Sequence, residues 1–130
     1  MKKSLIALLV ITVLAVSLGG CSKEEALELP IGTYEMKDTS QIFPPYINLK
    51  DGNEFIFVFS ALSSQLPIGT YSIVKDELVL TIDDEEKITY VFKIDNGDLV
   101  FQADKSASIP KFEKEDSIVD GDIFVYKQNN

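Results

Sequence analysis

From Leu29 to Tyr126 apolar and polar residues alternate with a period of two, in short runs broken by clusters of Gly, Asn, Asp and Pro. That rhythm is the signature of half-buried β-strands, and no long stretch downstream of Leu29 keeps the 3.6-residue period of an amphipathic helix. The pattern predicts eight strands, over Gly32–Met36, Tyr46–Leu49, Glu54–Ser60, Gly69–Val74, Glu77–Ile82, Lys87–Ile94, Asp98–Gln102 and Asp122–Tyr126. Within them Ile88, Tyr90, Phe92 and Ile94 share one face against Thr89, Val91 and Lys93, and Leu78, Leu80 and Ile82 share one face against Val79 and Thr81. Phe55, Phe57 and Phe59 stack on one face with Ile56 and Val58 on the other, so this strand is apolar on both sides and is expected to be central or covered twice.

The links between these runs are short enough for antiparallel hairpins. Asp95-Asn96-Gly97-Asp98 is the strongest signal, because Asn-Gly fits the type I′ turn whose twist matches that of the flanking strands. Asp51-Gly52-Asn53, Lys75-Asp76 and the acidic Asp83–Glu86 supply further turns. Successive hairpins make an all-β, up-and-down antiparallel meander of about eight strands, and such a meander removes its exposed edges by closing on itself. A small lipocalin-like barrel is the expected architecture, with a two-sheet β-sandwich as the alternative.

The first 21 residues have a different pattern: a basic start, Met1-Lys2-Lys3, an apolar run from Leu5 to Val16, then Leu18-Gly19-Gly20-Cys21. This resembles a bacterial lipoprotein signal peptide with its lipobox. The resemblance implies that the Cys21 thiol receives a diacylglyceryl group and that a signal peptidase cuts before it. A membrane-spanning helix would need about 20 apolar residues, and the run is shorter and interrupted by Thr12, Ser17 and the Gly pair. The expected organisation is a cleaved signal peptide (1–20), a lipidated cysteine with a polar tether (21–28) and a β-barrel-like domain (29–130). Two acyl chains suffice for stable anchoring without a polybasic helper, so the expected location is the cell membrane, lipid-anchored on the exported side.

Composition narrows the remaining classes. Cys21 is the only cysteine, so no intramolecular disulfide can staple the domain and packing must stabilise it. The net charge of −9 becomes −11 once Lys2 and Lys3 leave with the signal, and the chain has no Arg. Nucleic-acid binding needs clustered cations to displace counterions, so that class is excluded. There is no His, which removes Ser-His and Cys-His nucleophile pairs and imidazole metal sites. The carboxylates of Asp83–Glu86 and Glu113–Asp116 fall in turns or loops, where solvent leaves them poor acid catalysts at neutral pH. Asp120-Gly121-Asp122 and Asp95–Asp98 lack the ligand order of a calcium loop and read as turn chemistry. The expectation is a non-enzymatic protein with no cofactor and no metal.

One hexapeptide occurs twice, as Leu29-Pro30-Ile31-Gly32-Thr33-Tyr34 and as Leu66-Pro67-Ile68-Gly69-Thr70-Tyr71. Each copy sets Pro before a strand, where its missing N–H does least harm, and reads as a strand-entry device. The domain also resembles a group of small, uncharacterised lipoproteins of Gram-positive bacteria, through Tyr46-Ile47-Asn48-Leu49, the Phe55–Phe59 strand, Gly69-Thr70-Tyr71 and Leu99-Val100-Phe101. That resemblance implies a β-barrel-like fold and brings no activity with it.

Two functional expectations follow. The aromatic supply offers a lining for a small apolar ligand or envelope component inside the barrel, with Tyr34, Phe57, Tyr71, Tyr90, Phe92 and Phe112 as candidate contacts alongside Phe55 and Phe101. The alternative is an interaction or inhibitor module that presents loops to another envelope protein. Its candidates are the long segment Ala103–Asp120, with Ile109, Phe112, Ile118 and Val119, and the stretch Gln41–Tyr46, whose two prolines read first as a stiff extended entry to a strand and only second as a docking patch. The long segment is expected to plug one barrel end with its apolar residues.

Overall fold

The computed structural model describes residues 27–61, 63, 66–82, 86–111 and 117–128. Eight antiparallel strands follow one another around a closed barrel: β1 (Gly32–Met36), β2 (Tyr46–Lys50), β3 (Glu54–Val58), β4 (Ile68–Val74), β5 (Glu77–Ile82), β6 (Ile88–Asp95), β7 (Asp98–Phe101) and β8 (Ile123–Lys127). Each strand pairs with its sequence neighbour, and β1 pairs with β8 through Thr33↔Lys127, Tyr34↔Tyr126, Glu35↔Val125 and Met36↔Phe124. The sheet therefore has no free edge strand, and the barrel stands in place of the sandwich alternative.

Strict alternation aims one residue in two at the interior. Ile47 and Leu49 on β2, Phe55 and Phe57 on β3, Leu78 and Leu80 on β5, Leu99 on β7 and Phe124 on β8 are fully buried. The expected inward set of β6 is likewise inside, with Tyr90, Phe92 and Ile94 buried and Ile88 partly buried against the core. At the β6–β7 hairpin Asn96 has φ 50° and Gly97 φ 84°, the two left-handed residues that a type I′ turn requires.

The two ends of the barrel differ. One, the short-turn end, carries the 3-10 turn Asp51–Asn53, the Lys75-Asp76 and Asn96-Gly97 turns, and the chain's entry into β1. The other, the loop end, carries every long connection: 37–45, 59–67, 83–87 and 102–122. Leu29 packs against the core at the short-turn end. There the Tyr34 hydroxyl donates to the Pro30 carbonyl at 2.7 Å, and the Tyr126 hydroxyl donates to the Ile31 carbonyl at 3.2 Å. These two bonds fasten the entering chain across the rim.

The longest connection is built into the wall. The Gln102 amide donates to the Val91 carbonyl, a 3-10 turn follows over Ala103–Lys105, and the Ala107 amide then donates to the Thr89 carbonyl. Between these points the Ser106 hydroxyl accepts from the Val91 amide at 2.8 Å and donates to the Gln102 carbonyl at 2.7 Å. The chain thus leaves the β6 ladder and rejoins it, and Val91, an outward residue by alternation, is buried beneath the detour. Farther on Ile109 and Ile118 pack against the core, as a plug requires, whereas Val119 is 58% exposed.

The two hexapeptide copies both enter strands, but at opposite ends and in different conformations. Gly32 has φ 140° and lies beneath the Tyr126 ring. Gly69 is extended and faces the Thr81 carbonyl so closely that an added Cβ would sit 2.0 Å from it. Glycine is required at both, for backbone conformation at one and for close approach of β5 at the other.

Candidate functional site

The sequence-predicted lining residues within the described residues lie on five strands, β1, β3, β4, β6 and β7, and all of them belong to the interior. Tyr34, Phe57 and Phe92 are fully buried, Tyr90 is 5% exposed, and Tyr71 packs partly buried against the core. Phe112 and Cys21 lie outside the described residues.

These side chains meet one another across the barrel. Phe57 has ring centroids at 4.7 Å from Phe59, 5.4 Å from Tyr90, 5.7 Å from Phe92 and 6.1 Å from Phe124, each edge-to-face. Phe92 in turn meets Phe101 at 5.4 Å and Phe124 at 5.5 Å. Such separations are those of aromatic pairs in contact, so the rings occupy the centre of the barrel. An eight-stranded barrel is just wide enough for its side chains to fill it or to hold one small ligand, and here six rings in mutual contact pack its centre. Phe59 was placed on the Phe55–Phe57 face but not among the candidate contacts, and Phe124 and Tyr126 were not singled out, although the alternation Phe124-Val125-Tyr126 carries that signal.

Toward the short-turn end the filling turns polar. Tyr34 and Tyr126 have centroids 5.3 Å apart. Burial, reinforced by the neighbouring Tyr126 and Tyr71 phenols, pushes the Tyr34 hydroxyl up to about 12. Burial raises Tyr90 as well. Both stay neutral at physiological pH, and the Tyr34 hydroxyl acts as a donor, to the Pro30 carbonyl.

The carboxylates are engaged in local structure. Asp120 accepts from the Ala103 amide at 2.9 Å, which ties together the two ends of the long connection, and Asp122 accepts from the Val119 amide at 2.8 Å within its second end. Glu77 binds Lys105 at 2.7 Å and Glu35 binds Lys127 at 3.4 Å, both on the surface. The Glu77 carboxylate holds the Lys105 ammonium above its ordinary pKa. Among the described residues no three His, Cys, Asp or Glu side chains are grouped to hold a metal ion, and no helix is long and apolar enough to cross a membrane.

Two open clefts lie outside the barrel. One, of about 420 Å³, runs between Lys37–Thr39 and Ser117–Asp122 at the loop end. The other, of about 570 Å³, lies by Thr33, Asn48, Lys50 and Glu54 near the short-turn end. Their walls are mixed in polarity.

The outer wall holds the more distinctive surface. On β2–β4 Tyr46 stands opposite Val58, and Ile56 stands opposite Ile68, all facing outward. The doubly apolar β3 noted in the sequence is therefore half-solvated on its outer face, and its neighbours there are themselves apolar. Phe43, three residues before Tyr46, is 70% exposed, Ile42 is 88% exposed, and Leu66 and Ile68 are more than half exposed. This band reaches from the wall to the loop end.

Compared with family models, with curated proteins and with solved structures, the chain has no significant match.

Proposed function

We propose that the protein is a non-catalytic binding module, lipid-anchored through Cys21 on the exported side of the cell membrane, that docks another envelope protein through the apolar band at its loop end. The observation that carries this reading is the pairing of an interior packed with mutually contacting rings with an uncovered apolar exterior. Phe57 and its neighbours occupy the lumen, while Ile42, Phe43, Leu66 and Ile68 face solvent. Singly exposed apolar residues are ordinary, but a band of them rimmed by polar loops is the mark of an interaction surface. Large aromatic and aliphatic anchors such as Phe43 and Tyr46 are the residue types that dominate protein interfaces. The lipobox resemblance supports the anchor, and the absence of His and of a free thiol supports a role without covalent chemistry.

A photo-crosslinking residue at position 43 in living cells tests this reading. The expected result is a discrete protein adduct, absent when the crosslinker stands at Asn96 on the opposite end and lost when Ile68→Asp breaks the band. The competing reading, a small apolar molecule held by Tyr34, Phe57, Tyr71, Tyr90 and Phe92, requires those rings to part. An extra small-molecule mass in the native mass spectrum of envelope-purified protein, without an adduct at position 43, would establish it in place of the docking role.

A further inference from the structure

Of the five exposed large apolar side chains outside the band just described, Val119 and Ile123 lie toward the loop end, and three belong to the short-turn end: Leu27 at 46%, Ile31 at 51% and Val74 at 55% exposure. We infer that this end is the face that rests on the lipid surface, with Val74 at the tip of the β4–β5 hairpin entering the headgroup region. The inference rests on the lipid-anchor reading of Cys21 and adds to it a fixed orientation.

The argument begins with where the chain becomes fixed. Leu29 packs against the core, and the Tyr34 and Tyr126 hydroxyls hold the Pro30 and Ile31 carbonyls at the rim. Between Cys21 and Leu29 the chain spans at most about 28 Å when fully stretched. The β6 strand, Ile88–Asp95, runs about 23 Å at the usual rise per residue, and the long loops project beyond it. Barrel strands tilt about 35–45° from the axis, so β6 rises about 16–19 Å. To bring the loop end to the bilayer, the tether would have to run extended along the wall for more than half its reach. Holding it extended costs conformational entropy at every residue. With the short-turn end down no such extension is needed.

The chemistry of the rim agrees. Leu27 and Ile31 are close in sequence to the anchor and would meet lipid in many orientations. Val74 is three strands away around the barrel, so its exposure is an independent feature. In the hairpin turn beside it Lys75 is exposed with φ 58°, and its ammonium can reach headgroup phosphates while Val74 enters the apolar boundary. At the same time the apolar band at the loop end is turned away from lipid and left free for a partner.

The chain has no Trp, so single tryptophans report position without background. The full chain, processed in a bacterial host, is reconstituted into phosphatidylcholine vesicles containing brominated phosphatidylcholine as either Val74→Trp or Phe43→Trp. Both substitutions lie at exposed positions. The expected result is fluorescence quenched at least twofold for V74W and unchanged for F43W. Quenching of F43W alone, of both equally, or of neither overturns the orientation. The mass of the same protein separates the two claims. A diacylglyceryl adduct with the wrong quenching pattern defeats only the orientation, whereas protein that lacks the adduct and does not bind vesicles defeats the anchor and the orientation together.

Discussion

Tyr34 joins the interior of the barrel to its rim. Its ring is wholly buried and its hydroxyl donates to the Pro30 carbonyl. With its pKa pushed up to about 12, the folded protein holds the phenol neutral where an unfolded chain would release the proton near pH 10. A raised folded-state pKa contributes stability that is complete below about pH 10 and is lost as pH climbs toward 12. Urea unfolding at pH 9 and pH 11.5 is therefore expected to show a clear fall in midpoint for the wild type. The fall is smaller in Tyr34→Phe, which begins lower for want of the hydrogen bond but has one fewer buried phenol to ionise. Tyr90, raised by burial in the same direction, accounts for part of the decline that remains.

At the level of elements, the β6–β7 wall depends on one serine. Ser106 substitutes for a strand partner where the chain swings out over Ala103–Lys105, and its hydroxyl gives the Val91 amide an acceptor. Ser106→Ala leaves a buried N–H unpaired, which costs about 1–3 kcal/mol. The expected outcome is a loss of that order in unfolding free energy, together with faster hydrogen exchange at the Val91 amide than at the Phe92 amide. This detour also shows where sequence reading stops. The eight strands were legible because alternation, Asn-Gly and the aromatic spacing are local signals. Val91 looked solvent-facing because alternation reports only the pleat of its own strand, and the segment that covers it comes from residues 102–107. The two hexapeptides looked equivalent for the same reason. Gly32 and Gly69 have the same neighbours in sequence, but one meets a ring from β8 and the other a carbonyl from β5. The outer band was half-visible in Ile56 and Val58, while its continuation through Tyr46 and Ile68 depends on strand register.

For the molecule as a whole, the question left by the sequence was whether the barrel is hollow or packed, and that turns on side-chain volume summed over all strands. Phe57 is its central test. It touches rings from β6 and β8 and that of Phe59 just beyond β3, so Phe57→Ala removes contacts that the other strands cannot restore by local adjustment. The expected cost is about 3–5 kcal/mol, a large part of the stability of an ordinary domain. The variant is also expected to gain a dry cavity that takes up benzene or xenon, which wild-type protein does not. Uptake of such probes by the wild type would show that the rings already yield, and would favour the small-ligand reading.

The closure of β1 on β8 has one more consequence. Thr33 and Lys127 are neighbours in the sheet but 94 positions apart in the chain. Until the last strand is available, β1 and β7 each present an unsatisfied strand edge, and the aromatic interior is open along the seam. A polypeptide that emerges from its N-terminus cannot close this seam until β8 is available to pair with β1. The same topology that makes the finished barrel hard to open leaves the incomplete chain exposed along its seam, and vulnerable to association with its neighbours until β8 arrives.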